Sequence, residues 1–270
     1  MNGKEIHQQL NETLKALCLP TIRKSYAGQA DMARAEALSY EHYLLEVAQL
    51  EAAYRRNNRI ERYLRDSKLP LDKSMATFER KRLPRRIDGQ LSALLDGSFL
   101  NRTENILAFG NPGSGKTHLL CGISQELVYQ ERRIKFFPCH QLVQELLVAK
   151  QELKLPKFLN QLNKYDAILI DDIGYVQQSR TEMEVLFTLL AHRYERGSVM
   201  ITSNLPFSQW EKIFHDPMTT AAAIDRLVHH SIILELNLPS YRLQQAQNQG
   251  ENANQEAFNE QDSALKNGEK

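Results

Sequence analysis

A glycine-rich segment near the middle of the chain has the residues needed to bind phosphate groups. It fits the P-loop pattern of Gly, four residues of any type, Gly, Lys, and then Ser or Thr. Glycines allow backbone N–H groups to turn toward a phosphate, and the following helix presents its N-terminal amides to the same charge. The residues predicted to bind the nucleotide are Gly110, Asn111, Pro112, Gly113, Ser114, Gly115, Lys116, Thr117 and His118.

Two residues of this loop have predicted roles of their own. Lys116 should reach the β and γ phosphates of ATP, and the hydroxyl of Thr117 should hold Mg²⁺. The alternative is an ordinary glycine turn that caps a helix. An apolar run at 105–109 leads into the loop and a helical pattern leads out, as a P-loop requires. ATP and Mg²⁺ are therefore the expected cofactors.

An acidic pair, Asp171 and Asp172, follows a short apolar run about 55 residues after the P-loop lysine. Ligands of open α/β sheets bind beyond the carboxyl ends of the strands, so both carboxylates should face the phosphates. Asp171 is expected to hold Mg²⁺ through water, and Asp172 to orient or activate the attacking water. The pair could instead only cap the next helix. Because Asp stands where many ATPases have Glu, its reach is shorter and slow hydrolysis is expected.

A polar triplet, Thr202-Ser203-Asn204, ends the next apolar run. Asn204 could sense the γ-phosphate or position water, or it could be a turn residue before Leu205-Pro206, and the local pattern leaves both open. Trp210 and Phe214 stand at helical spacing and are expected in the core rather than as a platform for stacking bases.

The elements that position these residues alternate between strands and helices, which predicts an α/β fold with a parallel sheet flanked by helices. Residues 168–170 are apolar without alternation, as burial on both faces requires. The predicted strands are 105–109, 134–137, 167–170, 198–202 and 232–236. The predicted helices are about 117–130, 140–150, 156–164, 180–195, 207–214 and 219–229.

Residues 4 to about 70 have helical patterns and no strand signal, which predicts a small all-α domain before the sheet. Two apolar stripes should form its buried faces. The stripe residues are Ile6, Leu10, Leu14 and Leu17, and then Tyr40, Tyr43, Leu44, Val47 and Leu50.

Two basic clusters stand out because the whole chain is nearly neutral, with 34 Lys and Arg against 33 Asp and Glu. Clusters of this kind are typical of contacts to the phosphates of DNA, largely independent of base sequence. The alternative is a solvated helix face. Arg55, Arg59 and Arg62 fall on one side of a helix. The predicted DNA-binding residues are Arg55, Arg56, Arg59, Arg62, Arg65, Lys81, Arg82, Arg85 and Arg86.

These patterns predict a helical DNA-binding domain at 1–70, a basic linker at 71–100, an ATPase domain at 101–243 and a disordered tail at 244–270. Three widely spaced cysteines, the absence of a signal-peptide core and the lack of any apolar run near 18 residues favour a soluble cytoplasmic protein with no membrane contact.

The P-loop, the acidic pair, Asn204 and Asp225-Arg226-Leu227 together resemble an AAA+ ATPase. Within that class, three segments resemble the transposition helper ATPases called IstB, which are relatives of the DnaC helicase loaders. The similarity spans roughly residues 5 to 245. The three segments are Leu-Pro-Phe-Ser-Gln-Trp at 205–210, Asp-Arg-Leu-Val-His-His-Ser at 225–231 and Ser-Tyr-Arg at 240–242.

This resemblance implies a RecA-like AAA+ core, with Asn204 at the sensor 1 position. It also implies that Arg226 is an arginine finger that reaches the γ-phosphate bound by a neighbouring subunit, which requires a homo-oligomer. The family resemblance further implies assembly on duplex DNA with ATP, recruitment or stimulation of a cognate transposase, and disassembly on hydrolysis. Three alternatives stay open: a DnaC-like replicative helicase loader, a P-loop kinase of small molecules, and a clamp that binds ATP without hydrolysing it.

Overall fold

The computed structural model describes residues 3–174, 179–210 and 217–241. The chain divides into two compact units, residues 1–63 and residues 64–270. The predicted boundary at residue 70 lies close to this division.

The first unit is built from helices, as predicted. Its helices are α1 (Gly3–Ala16), α2 (Pro20–Ala35) and the greater part of α3 (Tyr40–Ser67), which continues into the second unit. Pro20 begins α2, where the missing N–H costs nothing because the first amides of a helix have no partner within it. The carboxylate of Glu51 in α3 accepts hydrogen bonds from the amides of Thr21 and Ile22 at 2.9 and 3.2 Å. Glu51 therefore caps α2 from another helix.

The two apolar stripes of this unit are only partly buried. Leu14 and Val47 are buried and Tyr43 is half-buried. The spacing correctly predicts helices, but a unit of three helices has too little interior to cover every stripe position. The exposed stripe residues are Ile6, Leu10, Leu17, Tyr40, Leu44 and Leu50.

The second unit contains a five-stranded parallel sheet, as predicted. The strands are β1 (Asn105–Phe109), β2 (Ile134–Pro138), β3 (Ala167–Ile173), β4 (Ser198–Ser203) and β5 (Ser231–Glu235), and they lie in the order β2-β3-β4-β1-β5. Four of the five residues of β1 are apolar and all five are buried, as expected of a strand covered on both faces. The helices around the sheet are α6 (Lys116–Tyr129), α7 (Cys139–Gln151), α8 (Leu155–Leu162), α9 (Arg180–Arg193) and α10 (Pro217–Val228).

The segment expected to be a basic linker, 71–100, is a folded part of the second unit. It contains a short 3-10 helix (Arg80–Arg82), α4 (Arg85–Leu95) and α5 (Ser98–Asn101). Ile87, Leu91 and Leu94 recur at helical spacing and are buried. This buried apolar face anchors the segment to the core, so the segment is not a linker.

One predicted helix, 207–214, is only a 3-10 turn at Phe207–Gln209 within the described residues. Trp210 is fully buried and its ring N–H donates to the carbonyl of Leu205 at 3.1 Å, so its assignment to the core is confirmed. Phe214, Arg242 and the predicted tail at 244–270 lie outside the described residues.

Candidate nucleotide-binding site

The P-loop lies between the end of β1 and the start of α6, as the sequence predicts. Gly113 and Gly115 have φ angles of 77° and 94°, and Gly115 is the N-cap of α6. Glycine is suited to this left-handed region because it has no side chain to clash with the backbone. A Cβ atom on Gly113 would also collide with Ser240. The loop therefore depends on glycine for both its conformation and its packing.

Lys116 is held inside the curve of this loop. Its Nζ donates to the carbonyls of Gly110 and Asn111 at 2.8 and 2.9 Å, and only 5% of the residue is exposed. The hydroxyl of Ser114 is buried beside it and has no hydrogen-bond partner among the described residues. An ammonium, an unsatisfied hydroxyl and the first amides of α6 thus converge on one cradle, which suits the phosphates of ATP.

The acidic pair at the end of β3 adjoins the P-loop. Asp171 Oδ1 accepts a hydrogen bond from Thr117 Oγ1 at 2.7 Å and another from Thr202 Oγ1 at 2.6 Å. A hydroxyl beside a carboxylate is a donor set that fits Mg²⁺, which takes few protein ligands and completes its shell with water and phosphate oxygens. In the described ranges, no group of three or more His, Cys, Asp or Glu residues could hold a metal by itself.

Asp172 is exposed and lines the same pocket as the P-loop. Its φ angle is 60°, and the pairing of β3 with β4 shifts register between Ile170 and Ile173. Its backbone N–H donates to Thr202 Oγ1 at 2.8 Å. The acidic pair therefore lies on a β-bulge, a feature found next to many active sites.

Asn204 also lines this pocket. Its side-chain oxygen is buried and makes no hydrogen bond to any part of the chain that the structure describes. A buried amide oxygen without a partner is costly, so this atom is suited to interact with a ligand or with water. Local sequence left a turn role equally open, and the pocket location favours the ligand role.

Two segments outside the sheet complete the pocket, and sequence reasoning missed both. One wall comes from residues 73–82 and includes Phe78, and the other includes Leu238 and Tyr241. His118 connects the first wall to α6, because its Nε2 lies 3.0 Å from both the carbonyl of Ser74 and the hydroxyl of Thr77.

Arg82 joins the two walls. Its Nη2 donates to the carbonyl of Pro239 at 2.8 Å, and its guanidinium lies 4.9 Å from the centre of the Tyr241 ring. The Tyr241 amide in turn donates to the carbonyl of Gly113 at 2.9 Å. Arg82 was predicted to contact DNA, but its contacts are those of a nucleotide-pocket residue.

Arg226 does not line this pocket. Its guanidinium lies 5.0 Å from the centre of the Phe187 ring, in a small cavity beside Asn105 and Val199. Asn105 begins β1 and Val199 is the second residue of β4, whereas the P-loop follows the end of β1. Arg226 therefore lies near the amino-terminal ends of the strands, whereas the phosphate cradle of its own chain lies at their carboxyl ends.

Three of the five arginines of α3 line a groove in the first unit. Arg55, Arg59 and Arg62 lie along it with Tyr54 and Asn58. Arg55 also has structural partners, since it donates to Glu51 Oε1 at 2.9 Å and to the carbonyl of Cys18 at 2.7 Å. The remaining residues predicted to contact DNA are exposed: Arg56, Arg65, Lys81, Arg85 and Arg86.

The sequence matches the family described as IstB-like ATP binding protein over residues 12–249. It is 40% identical over 249 residues to an insertion sequence ATP-binding protein of Sinorhizobium fredii, covering 90% of this chain and 84% of the relative. It is 34% identical over 244 residues to the IS5376 ATP-binding protein of Geobacillus stearothermophilus, covering 90% of this chain and 97% of that relative.

Solved structures share the fold of the second unit. The DnaC helicase loader superposes with a TM-score of 0.53 at 18% identity, covering 61% of this chain and 97% of that one. AMPPCP-bound DnaA of Aquifex aeolicus superposes with a TM-score of 0.53 at 17% identity, covering 64% of this chain and 52% of that one. At such low identity these matches establish the AAA+ fold and nothing further.

In the described part of the chain, no helix is long and apolar enough to cross a membrane.

Proposed function

Because this chain belongs to the IstB-like ATP binding protein family, we propose that it is an ATP-dependent DNA-binding helper of transposition. The observation that carries the ATPase part is the contact between the P-loop and the acidic pair, where Thr117 donates to Asp171 at 2.7 Å. The helper role is supported by relatives that are named as ATP-binding proteins of insertion sequences.

ATP hydrolysis would use the residues around the cradle. Lys116 and the α6 amides would bind the phosphates, and Thr117 and Asp171 would hold Mg²⁺. When bound, Mg²⁺ neutralises charge on the β and γ phosphates. Asp172 would orient the attacking water and accept its proton, which typically contributes about 10²–10⁴-fold to a rate. Asn204, with its unsatisfied oxygen, would position the same water.

DNA binding is assigned to the groove of the first unit and to the start of α4. Arg59 and Arg62 line the groove, and Arg85 and Arg86 occupy the first turn of α4. Cations are disfavoured near a helix N-terminus by the helix dipole, so folding gives no reason for this pair. Contacts to DNA phosphates are a function that would account for it.

A homo-oligomer is supported by the location of Arg226. Since it lies away from the P-loop of its own chain, it can act as an arginine finger only on the nucleotide of a neighbouring subunit. We therefore propose that ATP promotes assembly on duplex DNA, that the assembly recruits or stimulates a cognate transposase, and that hydrolysis dismantles it.

The central experiment measures ATP turnover with and without long duplex DNA while light scattering follows particle size. Wild type should form large particles only with both ATP and DNA, and Lys116→Ala should lose nucleotide binding. Mixing Lys116→Ala with Arg226→Ala should restore part of the turnover, because an intact P-loop then meets an intact arginine finger. No recovery in the mixture would argue against action between subunits.

The DNA assignment is tested by the salt dependence of binding. Each lost phosphate contact should reduce the slope of log K against log salt by about 1. Arg59→Ala and Arg62→Ala should each reduce the slope, whereas the control Arg34→Ala should not. Arg34 is exposed in the same unit but is paired with Asp31 at 2.9 Å. An unchanged slope in the groove variants would mean that the groove is only a solvated face.

A pull-down tests the alternative function. A helicase loader would retain a replicative helicase, and not a transposase.

A further inference from the structure

We propose that Thr202 is a positioning residue that fixes both members of the acidic pair, an inference that rests on the binding of Mg²⁺ and nucleotide in the proposed function. Thr202 stands in β4 two residues before Asn204 and is fully buried. Its hydroxyl donates to Asp171 Oδ1 at 2.6 Å and accepts from the Asp172 N–H at 2.8 Å. One side chain thus contacts two successive residues of the neighbouring strand.

The chemistry of a hydroxyl suits this double contact. Threonine supplies one O–H donor and lone pairs that accept, so the same oxygen can serve a carboxylate and an amide at once. Valine has the same shape but neither capacity. It would leave the Asp172 amide without its partner and the Asp171 carboxylate with one donor fewer, and an unsatisfied polar group is costly to bury.

Thr202 also determines which part of Asp171 remains available. Both hydrogen bonds that Asp171 accepts from described residues use Oδ1, one from Thr117 and one from Thr202. Thr117 is expected to give its hydroxyl to Mg²⁺, whereas Thr202 is buried and does not line the pocket. Thr202 therefore holds the carboxylate through Oδ1, which would leave Oδ2 for Mg²⁺ or a water bound to it.

The bond to the Asp172 amide has a separate effect. It lies where β3 departs from regular pairing and the Asp172 backbone is left-handed. In a regular ladder a backbone carbonyl would accept this N–H, and here the Thr202 side chain does so instead. Thr202 thus stabilises the bulge that presents the Asp172 carboxylate to the pocket.

The experiment compares Thr202→Val, Thr202→Ser and wild type, with Thr188→Val as the matched control. This control removes the same hydroxyl, which among the described residues bonds only the Glu184 carbonyl of its own helix. Mn²⁺ binding in the presence of AMPPNP is measured by electron paramagnetic resonance, which needs no turnover. Nucleotide binding in EDTA and melting temperature are measured in parallel.

Thr202→Val should weaken Mn²⁺ binding by about tenfold, as is typical when a partner of a metal ligand is lost. Thr202→Ser should stay near wild type, and binding of AMPPNP in EDTA should be unchanged in every variant. If Thr202→Val does not fold, Thr202→Ala removes the same hydroxyl without adding bulk. Normal Mn²⁺ affinity in the variant, an equal loss in Thr202→Ser, or a parallel loss of binding in EDTA would each overturn the proposal. A wild type that binds Mn²⁺ and AMPPNP but does not hydrolyse ATP would refute the ATPase function and leave this inference intact.

Discussion

The left-handed backbone of Asp172 predicts that stability and turnover will respond differently to substitution there. With φ at 60°, this residue occupies a region that costs most L-residues about 1–2 kcal/mol. Asp and Asn tolerate it better because their short polar side chains bond locally, and Gly avoids the cost. Asp172→Ala should therefore be less stable than Asp172→Gly, the reverse of the usual order in a strand.

The magnitude follows from two opposing terms. Ala incurs the conformational cost of about 1–2 kcal/mol. It recovers about 0.4–1 kcal/mol because its unfolded chain has less freedom than that of Gly. The net difference is about 1 kcal/mol, which corresponds to a melting temperature about 2–4 °C lower for a unit of this size. Asp172→Asn should melt near wild type.

ATP turnover should depend on the carboxylate of residue 172 and not on its backbone conformation. Gly, Asn and Ala at residue 172 should all lose about 100-fold or more in ATP turnover, because none can accept a proton from water. Differential scanning calorimetry and a phosphate-release assay separate the two effects. Asp171 is the internal control, since its φ is not positive and Gly should be less stable than Ala there. A melting temperature of Asp172→Ala equal to or above that of Asp172→Gly would refute the left-handed conformation. Substantial ATP turnover by Asp172→Asn would refute the proton-accepting role.

Three further predictions concern other parts of the chain. Burial alone would raise the pKa of Glu51, but hydrogen bonds from Arg55 and two α2 amides outweigh it and lower the pKa. Its contribution to stability should be complete above the ordinary pKa of about 4.3 and be lost as the pH falls through the lower pKa of the folded state. Glu51→Gln should therefore cost about 1–2 kcal/mol at pH 7 and progressively less in thermal melts as the pH falls below about 4.3. Arg82→Ala should weaken ATP binding at least about tenfold and leave the salt slope of DNA binding unchanged, as equilibrium titrations of each ligand would show. A thiol reagent should label exposed Cys18 rapidly in the native protein and leave buried Cys121 and Cys139 until denaturation, because burial raises the pKa of Cys121 to about 12 and keeps it protonated.

The sequence predicted most of the second unit because its signals are local. The P-loop glycines, the apolar run before Asp171 and the alternation of strands and helices each depend on neighbouring residues, and all were found within a few residues of their observed places. The first unit was predicted less well. Its helices are correct, but burial of Leu44 or Leu17 depends on how many helices surround a stripe, and spacing alone does not contain that information.

The contacts that sequence could not predict are those that join distant segments. Arg82 and Pro239 are 157 residues apart, and composition alone placed Arg82 with the basic residues around it. Thr202 was visible as the end of a strand, but its two bonds to the acidic pair require the register of β3 against β4. A polar residue two positions before a predicted sensor is a weak signal that could have indicated it.

The bulge explains how two successive residues of one strand can both approach the P-loop. Successive side chains of a regular strand point to opposite faces, so Asp171 and Asp172 could not both serve one ligand. The register shift and the left-handed Asp172 re-aim the second carboxylate, so that Asp171 meets Thr117 while Asp172 lines the pocket. The same conformation accounts for Asp where many ATPases have Glu, because Asp tolerates positive φ better than the longer residue does. The shorter side chain thus occurs together with the backbone conformation that brings its carboxylate to the pocket.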